Sequence, residues 1–345
     1  MSEFDQQPRV TVVIPTYNRA EWLTGAIESV LAQSRRDLRL VVSDNASTDA
    51  TAEVVAGFDD PRLSYVRLER HLELNEHFNR CFGYDATDYL FLLPDDDRME
   101  PDLLERAVAV LDANPRAGIA HGQVTVVDGG GAAIAERHGM TGLDRDAVES
   151  GADFVRRSMD MSYRVHASTA LIRTAAVSEI RLDERDHPLT DLGLWLRMAL
   201  DWDMAFLARP LATYRVHANA YSAGAADVTE GGYVQGVGRV VTARDVKFRF
   251  IDEHRARIAD PSDLGRRARR RFRCELLEQA AHATTPERRL RATAMALATA
   301  SRLDARVAIE PATWRLLAGS VLGRRGVAFL KRLLRRAHAP TEMTA

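Results

Sequence analysis

Three apolar runs in the first hundred residues each end abruptly in a polar exit, and that pattern limits the architectures open to this chain. Val10-Thr-Val-Val-Ile14 is ended by Pro15 and followed by Thr16, Tyr17, Asn18 and Arg19. Leu38-Arg-Leu-Val-Val-Ser43 gives way to Asp44 and Asn45, and the run YLFLL at 89–93 stops at Pro94 before Asp95, Asp96 and Asp97. Short runs rich in β-branched and large apolar residues read as strands buried on both faces. Proline ends such a ladder because it has no N–H to donate. Helical patterns lie between the strands. Trp22, Leu23, Ala26, Ile27, Val30 and Leu31 recur at helical spacing within 20–33. A second helix capped by Ser47 or Thr48 runs to Phe58, a strand spans Leu63 to Val66, and a helix spans Asn75 to Tyr84. Alternation of this kind implies an α/β fold with a mostly parallel sheet and right-handed crossovers. Ligands bind such sheets beyond the carboxyl ends of the strands, so the three polar exits face one crevice.

The third exit is the most costly electrostatically. Three consecutive carboxylates raise one another's pKa and repel unless water or a cation neutralises them. A divalent ion with oxygen ligands does so, and Mg²⁺ commonly shares one or two carboxylates with substrate phosphates. An exposed acidic turn leading into the helix that follows Pro101 is the competing reading.

Past Pro101 a helix extends to Ala113, with proline favoured at its first position. Residues 118–122 and 123–128 read as strands, Gly129-Gly130-Gly131 as a tight turn between two strands, and 144–161 as an amphipathic helix. In the segment HPLTDLGLWLRM, Leu192, Trp195, Leu196 and Ala199 mark one apolar helix face with Asp191 in its first turn. Carboxylates are stabilised there by the helix dipole and free N–H groups, which by itself accounts for Asp191. Trp195 and Trp202 read as core residues rather than sugar-stacking platforms. From about residue 226 Gly231, Gly232, Gly236 and Gly238 mark a loosened stretch before a helical remainder.

The formal charge of −2 over 345 residues hides a segregation: residues 255–345 carry +12 and residues 1–254 carry −14. Arg266-Arg-Ala-Arg-Arg-Arg271 is a dense basic run, and 314–336 combines apolar residues with six Arg/Lys from Arg324 onward. Such helices either pack on the acidic body or lie on an anionic membrane surface. Nucleic acid is not implied, because no recognition motif accompanies the charge. Cys81 and Cys274 have no metal-type spacing and fit a reducing compartment. The polar start MSEFDQQPRV is not a secretory signal. No apolar run approaches the roughly 18–20 residues that span a bilayer. A cytoplasmic protein, with peripheral membrane contact as the alternative for its basic helices, is the expectation.

The stretches VTVVIPTYNRAEWLTGAIESVLAQS, LVVSDNASTDAT and YLFLLPDDDRMEPDLLERAV resemble, in order and spacing, the successive motifs of family 2 inverting glycosyltransferases. The resemblance covers about residues 9–225. It implies the GT-A fold, a Rossmann-like, mostly parallel mixed sheet flanked by helices, here with a C-terminal helical extension. The domains expected are 1–225 (a nucleotide-binding half at about 9–115 and an acceptor half at about 116–225), a linker or helix at 226–254, a basic helical extension at 255–336 and a tail at 337–345.

The resemblance also assigns roles. Thr16, Tyr17 and Asn18 line the nucleotide pocket, and Asp44 accepts a hydrogen bond from the base. The triplet is shifted by one against the common D-x-D pattern, with Pro94 where the first Asp usually stands. Asp95 then faces ribose or diphosphate, Asp96 ligates the metal, and Asp97 is a second ligand or a helix cap; the triplet as a whole holds the ion. LNEHFNRC resembles an N-x-x-x-N-R helix in which Asn79 and Arg80 approach the diphosphate or brace the acidic loop, a solvated helix face being the alternative. Thr190-Asp191 resembles the motif whose Asp is the general base. Thr213-Tyr-Arg-Val-His217 resembles a Y-R-x-H ending in which His217 completes the metal shell, with a structural histidine as the alternative. The implied activity is Mg²⁺- or Mn²⁺-dependent transfer from a UDP- or dTDP-sugar to a glycan, lipid-linked or small-molecule acceptor. A non-catalytic scaffold of the same fold and a carboxylate-pair hydrolase are the alternatives from other classes.

Overall fold

The computed structural model describes residues 7–84, 87–138, 143–161, 165–217 and 230–281, together with residue 298. The alternation expected at the start of the chain is present as β1 (Val10–Thr16), α1 (Ala20–Leu31), β2 (Leu38–Asp44), α2 (Thr51–Ala56), β3 (Leu63–Arg67), α3 (Leu74–Cys81) and β4 (Tyr89–Leu92). A two-residue strand, β5 (Arg98–Met99), follows the acidic triplet, and α4 (Leu103–Ala113) leads into β6 (Ala117–Val127). The chain continues with β7 (Ala133–His138), β8 (Ala147–Glu149), α5 (Gly151–Met159), β9 (Leu171–Arg173), α6 (Thr174–Val177), α7 (Thr190–Met198) and β10 (Asp203–Arg215). Two helices close the described chain, α8 (Glu230–Glu253) and α9 (Pro261–Ala281).

The strands form a single mixed sheet in the order β3-β2-β1-β4-β9-β6-β10-β5, with β7 added on β6 and β8 on β10. β1 pairs in parallel with β2 and β4, and β2 with β3. β9 runs antiparallel between β4 and β6. Thus the parallel strands β1–β4 and the strands that follow share one sheet. In β1, Val10, Val12 and Ile14 point into a layer with Leu23, Ile27 and Val30 of α1 and Leu103, Leu104 and Leu111 of α4. Val13 points the other way, into a layer with Phe154 of α5, Trp195 of α7 and Phe250 of α8. This parity explains the unbroken apolar runs: successive side chains alternate between two buried faces.

Several local expectations change. Residues 117–127 are one strand rather than two, and 144–161 is a short strand followed by a helix that begins only at Gly151. Ser150 caps that helix through its side chain, so the polar Asp144–Asp146 segment ahead of it does not join the helical period. Neither Ser47 nor Thr48 caps α2; Asp49 accepts the Thr51 N–H at 3.1 Å instead. The glycines at 231–238 do not interrupt α8, which runs unbroken through them. The basic run Arg266–Arg271 lies in α9, where Arg266 and Arg270 are exposed while others make contacts. Arg267 bonds Asp160 and Asp263, Arg271 bonds Glu275, and the Arg269 guanidinium lies 5.5 Å from the Phe248 ring centroid. The basic segment 314–336 and the tail 337–345 lie outside the described residues.

Candidate functional site

The exits of β1 and β2 are cross-linked into one surface. Thr16 and Asp44 are register partners on adjacent strands. Asn18 adopts a φ of 52°, a left-handed conformation that asparagine tolerates better than most residues. Its backbone N–H donates to Ser47 Oγ at 2.9 Å, and its side-chain oxygen accepts the Thr48 N–H at 2.7 Å. Tyr17 is exposed and its ring lies 4.2 Å from that of His71. Asp44 is fully buried. One carboxylate oxygen accepts the Ser47 N–H at 2.8 Å and the other the Tyr65 hydroxyl at 2.5 Å, with the Arg67 guanidinium 3.7 Å away. Behind it His77 hydrogen-bonds Ser43 at 3.0 Å, and burial pushes its pKa down to about 4. Thr16, Tyr17, Asn18 and Asp44 therefore share one end of the sheet, as the sequence led us to expect.

The acidic triplet meets the far end of the chain through a short strand pairing. β5 pairs antiparallel with β10, Arg98 opposite Thr213 and Met99 opposite Ala212. That register carries residues 95–97 to the end of β10, against Arg215 and His217. Each aspartate then has different company. Asp95 is buried next to the Thr16 hydroxyl and the Tyr17 N–H, and its pKa is pushed up to about 7. Burial is the main cause; the Asp96 charge adds to it and the Thr16 hydroxyl opposes it. Asp97 is turned into the protein: one oxygen accepts the Arg215 N–H at 2.8 Å and the other the Ser168 hydroxyl. Its burial holds the pKa well above the usual carboxylate range. Asp96 is partly buried, its side chain 15% exposed, with Oδ2 3.0 Å from His217 Nε2 and 3.2 Å from Arg19 Nη1. The His217 ring centroid lies 4.0 Å from that of Trp22, the two planes tilted by 41°.

This arrangement gives the three aspartates expected to hold a metal different surroundings. Asp96 and His217 face one another, while both Asp97 oxygens accept hydrogen bonds from the protein and Asp95 lies buried beside the β1 exit. Among the described residues no group of three His, Cys, Asp or Glu side chains forms a preassembled cage. The two-ligand corner nevertheless fits a divalent ion. Carboxylate oxygen and imidazole nitrogen are donors that such an ion takes, and the Asp96 and His217 atoms stand 3.0 Å apart. Substrate phosphate and water would complete such a shell.

Asp191 lies in the first turn of α7, half-buried, with Oδ1 accepting the Leu192 N–H at 2.9 Å. The loop before it is tied down by Asp186, which is 1% exposed and receives Arg197 at 2.9 Å and Arg249 at 2.5 Å. Asn79 is not aimed at the triplet's partners. Its carboxamide exchanges two hydrogen bonds with the Leu182 backbone, at 3.0 and 2.7 Å, and braces α3 to the segment leading toward α7. Three contributors escaped the sequence reading: Arg19, Ser168 and the Arg215 backbone. Arg19 alone carried a signal, as the cation of the first polar exit; the other two act through a hydroxyl and a main-chain N–H.

The family model of Glycosyl transferase family 2 matches residues 11–175. The chain is 37% identical over 109 residues to the succinoglycan biosynthesis protein ExoO of Rhizobium meliloti, covering 32% of this chain and 31% of that one. It is 31% identical over 154 residues to the GalNAc(5)-diNAcBac-PP-undecaprenol beta-1,3-glucosyltransferase of Campylobacter jejuni, 43% of this chain and 48% of that one. The match thus spans about a third to a half of the length of these two relatives. Among solved structures, S. aureus TarS in complex with UDP-GlcNAc superposes with a TM-score of 0.54 at 14% identity, covering 95% of this chain and 92% of that one. The Pyrobaculum calidifontis mannosyltransferase PcManGT, in complex with GDP-Man and Mn²⁺, gives 0.53 at 18% identity, covering 96% and 89%. Residues 11–175 therefore match glycosyl transferase family 2, on a fold similar to that of these GT-A glycosyltransferase structures.

Proposed function

We propose that the protein is a metal-dependent, inverting glycosyltransferase that moves a sugar from a nucleoside-diphosphate donor to a hydroxyl of a glycan or lipid-linked acceptor. The observation that carries this reading is the Asp96–His217 corner, set beside the cross-linked exits of β1 and β2. The exits offer Tyr17, Asn18 and the Asp44 region to a nucleoside, with a uracil or thymine base as the reading of Asp44. Asp96 and His217 would hold a Mg²⁺ or Mn²⁺ ion, which neutralises charge on the departing diphosphate when bound. A donor complex of UDP-GlcNAc in TarS, and of GDP-Man with Mn²⁺ in PcManGT, supports the donor class. The names of the curated relatives support a polysaccharide or lipid-linked acceptor.

Asp191 is the proposed base. The acceptor oxygen attacks the anomeric carbon from the face opposite the diphosphate, and its proton passes to the Asp191 carboxylate. The carbon–oxygen bond to the diphosphate breaks, and a nucleoside diphosphate leaves. A base on the first turn of a helix packed against α5 and α8 is rigidly placed, as positioning within about 0.5 Å demands. Asp191→Asn tests the assignment. Donor binding in the presence of Mn²⁺ should be retained while transfer falls by about 10²–10⁴-fold. A D191N enzyme that turns over like the wild type would remove Asp191 from the role.

A further inference from the structure

Asp186 has more cation around it than its charge requires. It is 1% exposed, and one arginine would neutralise it, yet two reach it from different helices. Arg197 Nη1 of α7 donates to Oδ2 at 2.9 Å, and Arg249 Nη2 of α8 donates to Oδ1 at 2.5 Å. The same Arg249 nitrogen donates to the Arg185 carbonyl at 2.7 Å. Two oxygens held from two directions fix both the place and the plane of a carboxylate, which a single contact does not. That carboxylate bears directly on α7. A Cβ at Gly193 would stand 1.9 Å from Oδ2, so no side chain separates Asp186 from the helix backbone. The Asp186 carbonyl accepts the Leu189 N–H at 2.7 Å, and the Leu189 carbonyl accepts the Gly193 N–H at 3.4 Å. Asp191 lies between Leu189 and Gly193, inside that turn.

We infer that Arg249 is a positioning residue for Asp191: α8 holds Asp186, Asp186 seats the first turn of α7, and that seat fixes where the Asp191 carboxylate stands. The inference rests on the reading of Asp191 as the base. It gives α8 a part in transfer, although α8 lies beyond residues 11–175, which match the family model. Other ties hold the same segment without Arg249. Asn79 bonds both backbone groups of Leu182, Arg197 Nη2 donates to the Arg181 carbonyl at 3.1 Å, and Arg197 Nη1 keeps Asp186 paired. Loss of Arg249 therefore leaves no buried charge alone, but it lets the Asp186 carboxylate turn about its remaining partner. None of these contacts involves the exits of β1 and β2 or the Asp96–His217 pair. A displacement of about 1 Å costs about 10²-fold in rate, so the signature is a lower kcat with donor binding unchanged.

The test compares the full chain with Arg249→Met and Arg249→Lys at a temperature where all three are folded. R249K keeps the charge on a shorter side chain, so the ion pair survives while its geometry changes; it serves alone if R249M unfolds. Turnover is read as nucleoside diphosphate released from UDP-GlcNAc or GDP-Man with Mn²⁺, and UDP affinity by calorimetry. In both variants kcat should fall about 10²-fold, while the donor KM and the UDP affinity stay within a few-fold of the wild type. A role in stability alone would lower the melting temperature and leave kcat of the folded protein unchanged. Crystal structures of the variants give a readout that needs no substrate: the Asp191 carboxylate should be displaced by about 1 Å. An Asp191 that keeps its place in folded variants, or a kcat close to that of the wild type, overturns the inference. Asp191→Asn separates the two readings. If D191N loses turnover while the Arg249 variants keep it, only the positioning role falls; if D191N turns over normally, the base falls and the Arg249 role with it.

Discussion

The Asp186 carboxylate lies directly over Gly193. A Cβ built at position 193 would stand 1.9 Å from Asp186 Oδ2 and 3.0 Å from Arg197 Nη1. Asp186 cannot step aside cheaply, since Arg197 and Arg249 grip it from α7 and α8. Gly193→Ala should therefore destabilise the fold by about 1–3 kcal/mol, although alanine is the better helix former. It should also depress transfer, because Asp191 sits two residues away on the same turn. Thermal unfolding with turnover measured on the same preparation checks both effects. A G193A protein as stable as the wild type would show that Asp186 has room to move.

Within the triplet, the structure separates residues that look equivalent in sequence. Asp97 gives its oxygens to Ser168 and the Arg215 N–H, whereas Asp96 faces His217. Asp97→Asn preserves the shape, still accepts from Arg215, and meets in Ser168 a hydroxyl able to accept. It should retain Mn²⁺ affinity within a few-fold, while Asp96→Asn should lose at least about tenfold, as removal of a ligand does. Calorimetric titration in the presence of UDP measures both. Equal losses would restore the picture of a shared carboxylate cage.

Asn79 offers a choice between binding and bracing that one variant decides. Its carboxamide satisfies both the N–H and the C=O of Leu182. Asn79→Ala leaves these two backbone groups without their partner and should cost about 1–3 kcal/mol of stability. UDP affinity with Mn²⁺ should stay close to that of the wild type. A stable N79A protein with a lost UDP affinity would return Asn79 to the diphosphate.

The alternation of strands and helices and the three strand exits were legible because they are written in local patterns: apolar runs, a terminating proline, and polar residues straight after. Asp44, Asn18 and the triplet were found that way. Roles within the triplet were not, because they depend on which residue a distant strand places opposite. The two-residue strand β5 has no periodicity to read, yet its pairing with β10 decides that Asp97 meets Arg215 and Asp96 meets His217. The continuity of α8 through Gly231–Gly238 was hidden for a related reason. Glycine lowers intrinsic helix propensity, and tertiary packing farther along the helix, at Val240, Ala243, Val246 and Phe250, overrides it.

The helices α8 and α9 are tied to the sheet-bearing body through a buried lysine, and pH exposes that tie. Lys247 of α8 is 2% exposed and donates to the Met161 carbonyl at 2.6 Å, with Glu275 of α9 as the favourable charge. Burial pushes its pKa down to about 8. Below that pH the ammonium is charged in the folded and unfolded chain alike, and stability does not respond to it. Between about pH 8 and the ordinary lysine value near 10.4, the folded protein has lost the proton and the unfolded chain still holds it. The unfolded state then binds more protons, so raising the pH stabilises the fold, by at most about 3 kcal/mol across the window. Lys247→Met lacks this titration. The difference in melting temperature between wild type and K247M should move in favour of the wild type from pH 7.5 to pH 10, other groups cancelling between the two. A difference that stays constant over that range would mean that Lys247 reaches water and titrates as an ordinary surface lysine.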